Sequence, residues 1–215
     1  MTTKQKIQQF KDYYLGGTLV VIAVVALLLF IGRRILAPQE EPALRIAVFD
    51  TELSDEAKEK MAQDIRAALS LAPDAEITID SGYTSANTNE YARLSILAAD
   101  GMVDAVIAGR EAFAELSEYG YFKDLSLYLP QDMQEKYADD ICMFDYVSDA
   151  GSDDAQEMGE LATGKYPFGL SLSGSAYWKA ATSDSGTAPE SPVLGVIMES
   201  ENTDNMLGLI RLLRD

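Results

Sequence analysis

The chain has 215 residues, with 17 Lys and Arg against 35 Asp and Glu, no His, one Cys and 47% hydrophobic residues. That length suits one ordinary domain with a short appendage. The absence of histidine excludes imidazole acid–base chemistry and His-based zinc sites, and the lone Cys142 excludes an intramolecular disulfide or a thiolate metal cluster.

Charge divides the chain. Residues 1–38 hold five basic side chains and one acidic one, whereas residues 39–215 hold twelve basic and thirty-four acidic ones. A segment so acidic repels phosphate backbones and anionic lipid headgroups, so nucleic acid is excluded as a partner. Residues 1–12 read as a cytoplasmic tail. From Tyr13 to Gly32 the run YYLGGTLVVIAVVALLLFIG carries no charge over 20 residues, long enough as a helix to span roughly 30 Å of hydrocarbon. The sequence therefore predicts a single-pass transmembrane anchor helix over 13–36, with Tyr13 and Tyr14 in an aromatic belt and Lys11, Arg33 and Arg34 as flanks. The run exceeds the apolar core of a signal peptide, and Arg33-Arg34 stands where a small-residue cleavage site would be, so the anchor reads as a signal anchor that is not removed. Basic residues on the two sides nearly balance, which leaves orientation open.

Residues 37–43 form a short polar linker in which Pro38 and Pro42 bracket acidic residues. Strand-like and helix-like segments then alternate over 44–215. Ile46 to Phe49 reads as a strand, and Ser54 caps a helix carrying Met61, Ile65 and Leu69. Ile77 to Ile79 is a second strand, and a helix from Thr88 closes at Gly101. Val103 to Ala108 is a third strand, apolar enough to be buried on both faces, and Arg110 to Tyr119 a third helix. Residues 139–166 interrupt this rhythm with many carboxylates among small residues and read as a solvated excursion. Strands at Phe168 to Leu172 and Val193 to Met198 follow, separated by a short helix near Trp178 and a loose loop over 182–192. The final helix carries Met206, Leu209, Ile210 and Leu213 on one stripe. The alternation predicts an α/β fold with a mostly parallel sheet flanked by helices.

The order of these motifs resembles the type 2 periplasmic-binding-protein fold of extracellular solute-binding proteins. The stretch Ala98 to Leu129 carries most of the likeness, with Gly101 before the strand Asp104 to Ile107 and with Gly120 to Leu125 after the next helix. Tyr166 to Leu172 and Pro192 to Leu213 look like the family's returning strands and closing helix. The N-terminal layout resembles that of small membrane-anchored members. The resemblance implies a C-terminal domain facing outward from the cell membrane, and a module that binds a small solute or a transporter or receptor partner without catalysis. The chain departs from the family in size, because a complete member has two lobes and only 139–166 stands where the second would be. One main lobe is therefore expected, and solute trapping by hinge closure is in doubt. An interaction subunit of a membrane or envelope complex, with solute binding lost, is the alternative.

In a doubly wound sheet a ligand sits beyond the carboxyl ends of the strands where strand order reverses. That rule points to Asp50 and Thr51, to Ser81, Gly82 and Tyr83 with Thr84 following, and to Gly109 with Arg110, the one cation of the set. Capping and turn formation explain the same residue types equally well. No cofactor, metal or catalytic residue is expected. Gly159 to Lys165 matches the start of a phosphate-binding loop, but Tyr166 and Pro167 follow where Ser or Thr and a helix are required. The serines at 171, 173 and 175 with Lys165 and Lys179 lack the spacing of a Ser-Lys hydrolase. The acids from Asp145 to Glu157 lack the spacing of a calcium loop.

Overall fold

The computed structural model describes residues 15–36, 42–148 and 161–215, and the chain divides into two units, Met1–Glu41 and Pro42–Asp215. The first unit contains helix α1, Leu15–Leu36. Among the described residues no helix is long and apolar enough to cross a membrane, which corrects the transmembrane signal anchor expected over 13–36. Tyr13, Tyr14 and Lys11, expected at the membrane boundary, lie outside the described residues, as do the tail 1–12 and positions 37–41 of the linker.

The second unit opens with β1 (Leu44–Phe49), α2 (Asp55–Ala68), β2 (Ile77–Tyr83), α3 (Thr88–Ala99), β3 (Ala105–Gly109) and α4 (Arg110–Glu118). Two short helices, α5 (Leu125–Tyr128) and α6 (Gln131–Lys136), lead to β4 (Ile141–Tyr146). Then come β5 (Gly164–Ser171), α7 (Ala176–Ala181), β6 (Pro192–Val196) and α8 (Thr203–Arg214). The class is α/β as predicted, but the sheet, ordered β2-β1-β3-β6-β5-β4, is mixed rather than mostly parallel. Among the described residues β1–β2 and β1–β3 are parallel pairs, and β3–β6, β5–β6 and β4–β5 are antiparallel. Of the stretch read as a solvated excursion, 141–146 and 164–166 are strand, and 149–160 lies outside the described residues.

Strand alternation sends side chains to two cores, one on each face. Leu44, Ile46 and Val48 of β1, Ala105 and Ile107 of β3 and Leu194 and Val196 of β6 join Met61 and Ile65 of α2 and Leu209 and Ile210 of α8. Ala47 and Phe49, Val106 and Ala108, and Val193 turn the other way, towards Leu94 of α3 and Phe113 and Leu116 of α4. A sheet buried on both faces explains why β1, β3 and β6 are almost uninterrupted apolar runs. The second core centres on aromatic rings, with Phe113 stacked on Phe122 at 4.3 Å and 4.7 Å from Phe144. Room for them comes from Gly169 and Gly195, which face each other across β5 and β6. A Cβ on Gly195 would stand 2.6 Å from both Phe113 and Phe122.

Asp104 ties the two halves of the sheet. Its carboxylate is buried and accepts from the Arg45 backbone N–H at 2.8 Å, the Ser200 hydroxyl at 2.7 Å and the Asn202 amide at 3.0 Å. The Asp104 carbonyl accepts from Ile197 N–H at 2.9 Å, and Arg45 Nη1 donates to Gly101 O at 2.9 Å. Replacing the carboxylate strands buried donors on β1 and after β6, so Asp104→Ala should cost about 3 kcal/mol. Gly195→Ala should cost about 2 kcal/mol by overpacking the aromatic core. Equilibrium denaturation measures both, and losses below about 0.5 kcal/mol would contradict these roles.

Candidate functional site

The predicted residues meet at the carboxyl ends of β1, β2 and β3, but each is engaged by its own chain. Asp50 follows β1 with a φ of 52°, a left-handed conformation that Asp tolerates better than most residues. Its Oδ1 accepts from Ser85 N–H at 2.9 Å and from the Thr84 hydroxyl at 3.2 Å, which locks the turn after β1 to the turn after β2. Thr51 is buried and its hydroxyl donates to Phe49 O at 3.3 Å. Ser81 is buried too, and its Oγ accepts the Leu53 N–H at 3.3 Å. Gly82 N–H donates to Asp80 Oδ1 at 3.0 Å. Tyr83 stacks on Phe49 at 5.0 Å, under the Arg93 guanidinium, and burial raises its pKa.

Gly109 precedes α4, and Arg110, the one cation of the predicted set, turns towards β4. Its Nη1 donates to Cys142 Sγ at 3.3 Å and its guanidinium lies 5.2 Å from the Phe144 ring centre. The point where strand order reverses is covered by the 183–191 segment, which the sequence presents as a loose loop. Ser185 Oγ stands 2.8 Å from Glu52 O, Arg110 N–H donates to Ser191 O at 3.0 Å, and a Cβ on Gly109 would meet Pro189 at 3.0 Å. Two clefts flank this segment. A polar one of about 560 Å³ reaches Lys58, Asp80, Ser81 and Gly82. A smaller one of about 250 Å³ lies between Ala57 and Met61 of α2 and Tyr177 of α7. At the smaller cleft Asp64 Oδ2 takes Lys60 Nζ at 2.6 Å and the Tyr177 hydroxyl at 3.0 Å. The Lys60 bond holds the Asp64 carboxyl below its ordinary value, while burial first, and then Asp64, raises Tyr177.

The other sequence motifs settle into structural roles. Gly164 and Lys165 are part of β5 rather than a phosphate loop, and Lys165 pairs at 3.2 Å with Asp145 directly across the sheet; Gly159 lies outside the described residues. Ser175 caps α7, Ser171 and Ser173 bond each other, and Trp178 is buried in the first core. Of the acids considered for calcium, Asp149, Asp153, Asp154 and Glu157 lie outside the described residues. No group of three or more Cys, Asp or Glu able to hold a metal occurs among the described residues.

A feature absent from the sequence reading lies at the opposite end of the sheet. After α4 the chain turns at Gly120, φ 73°, and Phe122 bridges to Ile197 beside the end of β6. Asp124 then caps α5 through Ser126 N–H at 2.8 Å. This turn, α5, the end of β4 and the turn after β6 enclose an open groove of about 700 Å³ walled by Tyr119, Leu127, Tyr128, Tyr146, Leu161 and Met198. Gly120 permits it, because a Cβ there would stand 2.7 Å from the Tyr146 ring. Leu127 is 84% exposed, Tyr119 63% and Met198 42%. Burial first, with the nearby Asp104 and Asp204 charges, pushes the Tyr128 pKa up to about 12, so the phenol stays neutral and donates to Thr203 O at 3.2 Å. No sequence signal marks it, because Leu125–Tyr128 is too short to show a 3.6-residue pattern against which Leu127 would stand out.

No family model, curated protein or solved structure matches the chain. The resemblance to extracellular solute-binding proteins, and the outward location it implies, rest on the sequence segments alone.

Asp64 generates a pH prediction. A carboxyl whose folded pKa is depressed contributes stability above its unfolded value and loses it as pH falls through the folded one. Asp64→Asn should therefore lower stability at neutral pH by less than about 1 kcal/mol, and the difference from wild type should vanish as pH falls below 3.8. Denaturation from pH 2 to 7 reads this, and a pH-independent difference would assign the effect to packing.

Proposed function

We propose that the 42–215 unit is a non-catalytic binding module that acts as an interaction subunit, docking a protein partner in the groove between α5, Tyr119 and Met198. The observation that carries this reading is the exposure of Leu127, Tyr119 and Met198 around one concavity. Scattered exposed apolar residues are ordinary on a protein surface, but a contiguous apolar concavity marks an interaction surface. The strand-end crevice supports this reading less directly: Asp50, Thr51 and Ser81 already serve neighbouring turns, and Arg110 is turned away towards Cys142.

A photo-crosslinking residue placed at 127 or 119 of the full chain, in the cells that make it, tests the proposal. One recurrent protein adduct is expected from both positions and none from Thr78, which is exposed on β2. The same scatter of adducts from 78 and 127 would contradict it. A second reading, small-solute binding, is favoured by the open cleft at Ser81 and Gly82. It requires a thermal shift with an amino acid, sugar or peptide that Gly82→Val abolishes, worth about 2.7 kcal/mol at a hundredfold excess over Kd. The absence of any shift across such a panel would remove it.

A further inference from the structure

The cleft of about 250 Å³ between α2 and α7 shares no lining residue with the groove. Leu53, Ala57, Met61, Ala180 and Ala181 line it together with the Tyr177 ring. Leu53 and Met61 are buried members of the first core, so the floor is fixed by the fold. The ring is fixed as well, by the bond from the Tyr177 hydroxyl to Asp64 Oδ2 at 3.0 Å. An apolar cavity of about 150 Å³ is enough for a benzene ring. A single ring or a short branched chain therefore fits here, and a drug-sized ligand does not.

Charge in the lining selects the polar end of such a ligand. Three charged side chains line the cleft, Glu56, Lys60 and Asp184. Lys60 is taken by Asp64, one turn further along α2, at 2.6 Å, and its Nζ lies 6.0 Å from the Tyr177 ring centre. The ring thus has its cation already, and that cation is drawn away from Glu56, one turn back. Among the described residues no basic side chain pairs with Glu56 or Asp184. The Asp184 carboxylate has one hydrogen bond, a 3.4 Å contact from the Ser183 hydroxyl. Both acids are exposed, and both stand on fixed backbone. Ser54 Oγ accepts the Ala57 N–H at 3.1 Å in the turn that carries Glu56, and Ser185 N–H donates to Thr182 O at 3.0 Å in the turn that carries Asp184. The N-terminus of α2 contributes about half a positive charge, which two carboxylates outweigh.

We propose that this cleft binds a small primary amine whose apolar part is a single ring or a short branched chain. The apolar part lies against Leu53, Met61 and Tyr177, and the ammonium meets the carboxylates at the mouth. An acid of the same shape would bring its carboxylate to Glu56 and Asp184, a like-charge contact that costs affinity. An amino acid meets the same obstacle, because Lys60 is engaged by Asp64.

Titration of the full chain with 2-phenylethylamine, 2-phenylethanol and 3-phenylpropionate at neutral pH, followed by backbone amide shifts, tests this. The amine should bind at least tenfold tighter than either companion, perturb residues 53–61 and 177–185, and weaken as salt rises from about 50 to 300 mM. Glu56→Gln with Asp184→Asn should bring the amine to within about threefold of the alcohol, since an exposed ion pair is worth little more than a factor of five. The same double variant should leave the alcohol unchanged, and circular dichroism melts matching wild type show that it is folded. Leu127→Ser should leave all three unchanged, which keeps this cleft distinct from the groove. Equal affinity for amine and alcohol, an amine affinity that survives the double variant, or shifts grouped at 119–128 would each overturn the proposal. So would the absence of binding by the amine up to about 10 mM, where even a contact of some 3 kcal/mol is seen.

Discussion

The buried carboxylate of Asp104 is the constraint on which the rest of the unit depends. It stands at the start of β3, holds the start of β1 through Arg45 N–H, and holds the turn after β6 through Ser200 and Asn202. Those three points join the parallel part of the sheet to the antiparallel part. A carboxylate taken out of water is tolerable only when its oxygens are occupied, and here three donors occupy them. The same turn displays Met198 and offers the Ser200 carbonyl to Lys123, so the bond that fixes the fold also fixes one wall of the groove.

The two ends of the sheet differ in what they present. At the carboxyl ends of β1 to β3, polar groups are plentiful but committed to turns, caps and the 183–191 segment. At the other end, Lys123 and Asp124 are also committed to the chain, and apolar side chains face water around an open concavity. The free energy available from covering apolar surface exceeds what exposed hydrogen bonds supply in exchange with water. On that comparison the groove has more to gain from a partner than the crevice does.

Much of the fold was legible because period and caps agree. Ser54 caps α2 as read, the two-faced burial of β3 follows from its unbroken apolar run, and the stripe of Met206, Leu209, Ile210 and Leu213 is the buried face of α8. Strand direction was not legible. An apolar run such as Pro192–Val196 has the same composition whether it enters a sheet parallel or antiparallel, and nothing local to it records its pairing with β3. Asp104 reads in the sequence as part of a strand motif, but the partners of its buried carboxylate, Ser200 and Asn202, lie almost a hundred residues away. For the site, residue types suited to ligands proved suited to turns, as Asp50 and Ser81 show. No single stretch of sequence marks the groove, because its walls come from five separated segments.

The most direct measurement is the map of backbone amide shifts in the full chain on titration with the protein recovered by crosslinking from position 127, read by nuclear magnetic resonance. Docking in the groove predicts perturbations grouped at 119–128, Tyr146, Leu161 and Met198, with the strand ends undisturbed. Perturbations grouped instead at Asp50, Ser81 to Tyr83 and Arg110 would place binding in the crevice and contradict the groove as the working surface.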